Sequence, residues 1–402
     1  MKTGVKSTIA LVFLLQGLLS RADEVHSHHV PLGYISPAVS PVSSSNADSK
    51  QPQNYLAKYG PQSDLSYTGP LSFSHLDYAR CLDDPSTSYD IAIFGMPFDT
   101  TTSYRAGARF GPHGIRLGSR RQSEVWGHSL AWGMNPYEGV KVMDCGDVPL
   151  SAYDNLLALD QMEVAYDTLL SHSVSKSNWT HPKIVTLGGD HTIVLPILRS
   201  LNKFYGPVSV IHFDAHLDTG GPKRVPAPPK PDPVTHGSYF FVANEEGLMI
   251  KDTNIHAGIR QKMPGESSMK NDLDVGFIII SAEDIDDIGV NGVIKRIRDR
   301  VGNNPVYLTL DIDTLDPSMA PATGTPEIGG WTSREVKRII RGLSGLNFVG
   351  ADLVEVAPAY DNADITAIAA ADIIHDFLGA MMNSKPPGSR DERKASKAAQ
   401  EL

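Results

Sequence analysis

The feature that most constrains the fold is an alternation of short apolar runs with longer helical stretches between about Tyr89 and Met382. The apolar runs predict strands at 89–97, 140–149, 183–189, 208–213, 254–259, 276–281, 306–313 and 348–356. The helical spacing of apolar residues predicts helices at 154–172, 192–205, 333–345 and 365–382. In the third of these, Ser333 is the expected N-cap. Apolar strands that alternate with helices are typical of an α/β fold with a parallel sheet covered on both faces.

This pattern indicates one domain rather than two. The Pro-rich stretch 222–233 is a loop within the domain, because predicted strands continue on both sides of it. We therefore expect a single α/β domain at 62–383. Ligands of open parallel sheets bind beyond the carboxyl ends of the strands, so the residues that carry chemistry should lie there.

The two ends of the chain have a different composition. Lys2 and Lys6 precede a short apolar run, and small residues follow it, so residues 1–22 are typical of a secretory signal peptide. A buried N-terminal helix is the alternative. Residues 23–61 predict a flexible leader, and 384–402 a polar tail. The expected location is therefore secreted or endomembrane/vacuolar, with no membrane span left after removal of the signal.

Charge, cysteine content and one sequon give expectations about partners and covalent modification. The 36 basic and 46 acidic residues give a net charge of −10, which disfavours a nucleic-acid partner. Cys81 and Cys145 allow one disulfide, and two free buried thiols are the alternative. Asn178 begins the sequon Asn178-Trp179-Thr180, and it carries a glycan or is an unmodified loop residue.

Metal-ligand side chains follow three of the predicted strands. Asp214, His216 and Asp218 are spaced two apart and converge on one face if the strand stays extended. Two further pairs stand at other strand ends, namely Asp190 with His191 after 183–189 and Asp311 with Asp313 at the end of 306–313. Buried together, these groups require a cation. Six ligands, counted without Asp190, fit two divalent ions, and ligands that are mostly carboxylates favour Mn²⁺ over Zn²⁺.

The motifs LGGDHT, HFDAHLD and LDIDTLDP resemble the three signature motifs of the ureohydrolases, the family of arginases and agmatinases. The resemblance covers about Tyr89 to Phe377. It implies a single arginase-like three-layer α/β domain, two Mn²⁺ per subunit, a homo-oligomer (trimer or hexamer) and hydrolysis of a guanidino group to urea and an amine. It also implies two ligand sets, His191, Asp214, Asp218 and Asp311 for one ion and Asp214, His216, Asp311 and Asp313 for the other. Asp214 and Asp311 belong to both sets as the bridging residues. His212 holds no metal and is either a buried residue or one that supports the metal ligands.

The resemblance also implies two catalytic residues. His236 would handle protons, since imidazole titrates near neutral pH. Glu355 would pair with the planar substrate guanidinium, whose N–H groups fit a carboxylate.

Several stretches resemble agmatinases more than arginases, among them 94–116, 320–330 and 354–367. The resemblance therefore implies hydrolysis of agmatine to putrescine and urea, a step in polyamine biosynthesis. An arginase or a guanidinobutyrase remains an alternative within the family. Outside these activities, a catalytically inactive homologue and a dinuclear phosphoesterase are the competing hypotheses.

Overall fold

Eight parallel strands form one sheet in a computed structural model that describes residues 54–60, 62, 71–221 and 234–383. The strand order is β2-β1-β3-β8-β7-β4-β5-β6. The strands are β1 Ile91–Met96, β2 Val142–Asp147, β3 Lys183–Gly188, β4 Ser209–Phe213, β5 Asn254–Ile259, β6 Phe277–Ser281, β7 Pro305–Asp311 and β8 Asn347–Val354. Each predicted strand is present, so the prediction of an α/β fold around a parallel sheet is confirmed.

Helices connect the strands, as parallel strands require. They are α1 Tyr55–Tyr59, α2 Gly111–Gly118, α3 Asn155–Leu170, α4 Val194–Tyr205, α5 Tyr239–Glu245, α6 Glu266–Val275, α7 Asp284–Val301, α8 Ser333–Gly342 and α9 Ile365–Met382. The four predicted helices correspond to α3, α4, α8 and α9. Helices α1, α2, α5, α6 and α7 were not predicted. Of these, α6 and α7 bury few residues, so neither has a broad apolar stripe.

The sheet separates two apolar cores, which confirms a three-layer domain. Ile91 and Ile93 of β1 pack into the core on one face, whereas Ala92 and Phe94 pack into the core on the other. This alternation follows from the two-residue period of a strand. Of the helices in the described part of the chain, α9 is long and apolar enough to cross a membrane, but 72% of it is buried in the domain. It is a core helix.

Two local predictions are corrected. The N-cap of α8 is Thr332 and not Ser333, because the Thr332 side chain accepts a hydrogen bond from the Glu335 N–H and the Glu335 side chain accepts one from the Thr332 N–H. Helix α1 lies within the range 23–61 that was predicted to be a flexible leader. Its Tyr55 is buried, and the Tyr55 N–H donates to Thr168 Oγ1 at 2.8 Å, so this end of the leader packs on the domain.

The remaining predictions for the chain ends stay predictions. The signal peptide 1–22, the leader up to residue 53 and the tail 384–402 lie outside the described residues, as does the Pro-rich stretch 222–233.

Cys81 and Cys145 form a disulfide across a sequence separation of 64 residues. This observation decides between the two alternatives left by the sequence. Cys145 lies in the edge strand β2, so the disulfide ties the segment before β1 to the edge of the sheet. Both residues are fully buried.

We expect the double substitution Cys81→Ser/Cys145→Ser to lower the free energy of unfolding by about 2–4 kcal/mol, because the disulfide restricts the unfolded chain. Denaturant unfolding without reductant measures this difference. Reduced wild-type protein serves as the control and should match the variant. Two titratable thiols in unreduced, unfolded wild-type protein would contradict the disulfide.

Candidate metal centre

The predicted site residues meet at the carboxyl ends of four neighbouring strands, β3, β8, β7 and β4. The residues that follow or end these strands are His191 after β3, Glu355 after β8, Asp311 and Asp313 at the end of β7, and Asp214, His216 and Asp218 after β4. His236 comes from the segment that leads into α5. The position expected from the sheet type is therefore the observed one.

His191 is oriented by hydrogen bonds from both directions. Its backbone N–H donates to Glu355 Oε1 at 3.0 Å, and its Nε2 lies 2.7 Å from Thr309 Oγ1. The Thr309 hydroxyl in turn donates to Asp352 Oδ1 at 2.6 Å. Since that hydroxyl hydrogen is committed to Asp352, the His191 Nε2 donates to Thr309, which leaves the lone pair of Nδ1 facing the site.

Three carboxylates surround the Nδ1 atom of His191. It lies 3.0 Å from Asp214 Oδ2, 3.3 Å from Asp218 Oδ2 and 3.5 Å from Asp311 Oδ2. Among the described residues, this nitrogen and Asp214 Oδ2 are both buried without a hydrogen bond. Atoms that converge without bonding to one another are arranged as ligands for a cation would be.

A second group lies on the other side of Asp214. His216 Nδ1 is 3.2 Å from Asp214 Oδ1 and 3.1 Å from Asp313 Oδ2. Asp313 Oδ1 accepts the N–H of Ala215 at 3.1 Å, whereas Asp313 Oδ2 is buried without a hydrogen bond within the described residues. Asp214 therefore contributes one oxygen to each group, as a bridging carboxylate would.

The geometry brings together most of the expected ligand sets. Possible ligand atoms of His191, His212, Asp214 and Asp218 lie within 4.8 Å of one another, and so do those of Asp214, His216 and Asp313. Asp311 belongs to neither of these two groups, although its Oδ2 lies 3.5 Å from His191 Nδ1; its Oδ1 accepts the Asp313 N–H at 2.8 Å. His212 is fully buried, as expected, and its Nε2 lies 2.9 Å from Asp214 Oδ2.

The segment that carries the HFDAHLD motif is not extended. Strand β4 ends at Phe213, and Asp218 has a φ of 55°, in the left-handed region. The predicted convergence of Asp214, His216 and Asp218 along a strand is thus wrong in its geometry. A turn brings these side chains together instead, and the left-handed Asp218 must be held in place by its surroundings.

The electrostatics of the cluster favour a bound cation. Burial, reinforced by the neighbouring carboxylates, raises the pKa of Asp218, Asp311 and Asp313 above the usual range. Negative charges confined in this way are stabilised by a divalent ion, which replaces their lost hydration. The donor set of carboxylates and imidazoles fits Mn²⁺.

His236 and Glu355 form a pair at the edge of the cluster. His236 Nδ1 lies 3.1 Å from Glu355 Oε1, and Glu355 Oε2 is buried without a hydrogen bond among the described residues. Burial lowers the pKa of His236, but the hydrogen bond and the charge of Glu355 outweigh it and raise the pKa to about 9. This pKa lies above the near-neutral value of ordinary imidazole, and the shift favours the protonated ring.

Ser103 is a contact of His236 that the sequence did not reveal. His236 Nε2 lies 2.8 Å from Ser103 Oγ and 3.0 Å from Ser103 N. A protonated Nε2 can donate a hydrogen bond to the Ser103 hydroxyl, but it can no longer accept one from the Ser103 backbone N–H. Ser103 is exposed. It belongs to a predicted agmatinase-like stretch, 94–116, but nothing in that stretch pointed to His236.

A family model described as the Arginase family matches residues 89–379. The chain belongs to the arginase family. Proteins of the arginase family are hydrolases that act on guanidino C–N bonds, and this chain is such a hydrolase. Members of the family bind a two-metal site and are often oligomers. The resemblance drawn from the three motifs is thereby confirmed.

Individual relatives and structures agree with membership of the arginase family. A Schizosaccharomyces pombe protein with the provisional name agmatinase 3 is 52% identical, over 79% of this chain and 80% of its own. The agmatinase of Chromobacterium violaceum is 38% identical, over 82% and 94%. The crystal structure of proclavaminate amidino hydrolase from Streptomyces clavuligerus has a TM-score of 0.68 and 32% identity, and the match covers 79% of this chain and 98% of that one.

Proposed function

We propose that the protein hydrolyses agmatine to putrescine and urea with two Mn²⁺ per subunit. The observation that carries this proposal is the buried Oε2 of Glu355, which has no hydrogen bond from any residue that the structure describes and lies beside the His/Asp cluster. A buried carboxylate oxygen without a partner is suited to a cationic group of the substrate. A guanidinium bound there would lie next to the proposed metal ions.

The choice of agmatine is supported by two observations. Relatives at 38% identity and above, over most of the chain, carry the name agmatinase. In addition, the stretches 94–116, 320–330 and 354–367 are of the agmatinase type. The family resemblance supports a trimer or a hexamer as the assembly.

Six side chains would hold the two ions. His191, Asp214, Asp218 and Asp311 would bind one, and Asp214, His216, Asp311 and Asp313 the other. The two groups of converging ligand atoms share Asp214, which supports its place in both sets. Asp311 would be the second shared residue, and the 3.5 Å between its Oδ2 and His191 Nδ1 supports its place in the first set. When bound, paired divalent ions supply a hydroxide nucleophile near neutral pH and offset the negative charge that develops on the reacting centre.

The residues of the chain supply binding and proton transfer. Glu355 binds the guanidinium and orients its carbon, which gains an oxygen from water as the bond to the substrate amine breaks. The leaving nitrogen needs a proton, and His236 is suited to deliver it because its raised pKa keeps it protonated at neutral pH. Ser103 Oγ holds the Nε2 side of the ring.

Urea release from agmatine, arginine, guanidinobutyrate and guanidine tests the substrate. We expect Mn²⁺-loaded protein to show a kcat/KM for agmatine at least about tenfold above each of the others. Glu355→Gln keeps the shape but loses the charge, so kcat/KM should fall roughly 10–100-fold. A higher value for arginine or guanidinobutyrate would reassign the substrate. Phosphate release from a phosphate ester, or no urea from any compound with Mn²⁺ bound, would contradict the activity.

Asp311→Asn tests the bridging assignment. Loss of one negative charge shared by both ions should reduce bound Mn²⁺ from two per subunit to one or none and lower kcat by at least about 100-fold. Metal analysis after gel filtration gives the ion count. The matched control is Asp376→Asn, which neutralises a buried carboxylate in α9 that pairs with Lys337 and Arg341. Full metal content and turnover in Asp311→Asn would show that Asp311 is not a bridging ligand.

We also propose that the protein enters the secretory pathway. The disulfide supports this proposal, since disulfides persist mainly in oxidising compartments. The sequon asparagine, Asn178, is exposed, so a glycosylating enzyme could reach it.

Expression of the full chain in eukaryotic cells should yield a protein cleaved near Ala22 with an endoglycosidase-sensitive glycan on Asn178. Mass spectrometry measures both changes. Thr180→Ala, which destroys the sequon and leaves Asn178 in place, should remove the glycan and not the cleavage. An intact N-terminus on the cellular protein would argue against export.

A further inference from the structure

Helix α6 contains a buried acidic side chain, and apolar packing cannot explain why this side chain is buried. Of its ten residues, the buried ones are Asp272 and Val275. Burial of a carboxylate is costly unless hydrogen bonds compensate for the lost hydration. Asp272 therefore needs specific partners, and these partners connect it to the metal centre.

The first connection runs across two neighbouring strands. Asp272 Oδ1 accepts a hydrogen bond from His256 Nε2 at 3.0 Å, and His256 Nδ1 is hydrogen-bonded to His212 Nδ1 at 2.6 Å. His212 and His256 are register partners in β4 and β5. At the end of this chain, His212 Nε2 contacts Asp214 Oδ2 at 2.9 Å, a packing contact and not a hydrogen bond.

The second connection reaches the other end of the same segment. Asp272 Oδ1 also accepts a hydrogen bond from the Thr219 hydroxyl at 2.9 Å, and the neighbouring Asn271 donates to the Thr219 carbonyl at 2.6 Å. Thr219 directly follows Asp218. Helix α6 thus contacts Thr219 on one side of the five-residue stretch Asp214–Asp218 and reaches the other side through His256 and His212.

Aromatic rings keep the two histidines in these orientations. The ring of His256 stacks on Phe277, with centroids 4.0 Å apart and an interplanar angle of 8°. Phe240 meets the ring of His212 edge-on, with centroids 4.9 Å apart. Both histidines and Asp272 are fully buried, so water does not compete for their hydrogen bonds.

The Asp214–Asp218 stretch needs such support. It follows Phe213, the last residue of β4, and contains the left-handed Asp218, a conformation that persists only where neighbouring groups hold it. We propose that Asp272 is a positioning residue that holds this stretch at both ends, through His256 and His212 at Asp214 and through Thr219 beside Asp218. The proposal rests on the metal centre proposed above.

The test is the affinity of the full-length protein for Mn²⁺, measured with chelator-buffered Mn²⁺ and by the metal-induced rise in melting temperature. His256→Phe keeps a flat ring against Phe277 but removes the hydrogen bonds, and Asp272→Leu removes the acceptor. In each variant, Mn²⁺ should bind about 10–100-fold more weakly, the range found when groups behind metal ligands are lost. The metal-induced rise in melting temperature should shrink accordingly.

Two conservative variants separate positioning from general damage to the fold. Asp272→Asn retains Oδ1 as an acceptor for both hydrogen bonds, so its affinity should recover to within about threefold of wild type. Thr219→Val breaks only the contact beside Asp218, and it should weaken binding even if Asp272→Leu does not fold. His375→Gln is the matched control: it alters a buried histidine of α9 that bonds to the Gly127 carbonyl, and Mn²⁺ affinity should not change.

The outcomes are distinguishable. Wild-type affinity in folded His256→Phe and Thr219→Val would overturn the positioning role and leave the metal centre intact. An equal loss of affinity in His375→Gln would also overturn it, because any buried histidine would then have the same effect. A wild-type protein that binds no Mn²⁺ would overturn the metal centre, and this inference with it.

Discussion

The confinement of several negative charges at one edge of the sheet is the constraint on which the rest of this structure depends. Four aspartates, Asp214, Asp218, Asp311 and Asp313, lie with two histidines beyond the ends of adjacent strands. Burial raises the pKa of three of these carboxyl groups, so the cluster is unfavourable as a set of free anions. Divalent cations at that place would remove this conflict, which is why the geometry and the family membership support the same chemistry.

Around this cluster, the structure supplies groups that hold each ligand in one orientation. Thr309 and Asp352 determine which nitrogen of His191 faces the site. Asp190 caps the turn that carries His191 by accepting the Thr192 N–H. These groups come from strands and helix starts, which are rigid parts of the fold. A metal centre built on them keeps its geometry while substrates bind and leave.

Much of this arrangement could be predicted from the sequence, for identifiable reasons. The strands of a parallel sheet are buried on both faces, so they appear as continuous apolar runs, and β3, β4 and β7 end where ligand-type residues begin. Long helices with many apolar residues, such as α9, were predicted as well. Helices α6 and α7 were not, since few of their residues enter the core and the apolar period is weak. Helix α1 was not predicted either, because it is short and lies in a polar stretch of the sequence.

The site was predictable in composition and less so in geometry. The ligand types at His191, Asp214 and Asp311 follow from the motifs. The path of the chain after β4 could not be predicted from the motifs. Whether the chain stays extended or turns at Asp218 depends on contacts with residues distant in sequence. The partners of the site residues, such as Ser103 beside His236, were likewise hidden, as isolated hydroxyl groups have no periodic signal.

The sequence by itself determined the fold class, the family and the set of residues that meet at the sheet edge, because strand and helix periods and the order of the motifs are local properties of the chain. Only the tertiary structure decided that Cys81 pairs with Cys145, that a turn rather than a strand brings Asp218 to His191, and that Asp272 lies behind Asp214. Each of these depends on the packing of segments far apart in sequence. The distance between the two residues of each pair is set by the packing of the folded domain, and no sequence pattern within one segment can predict it.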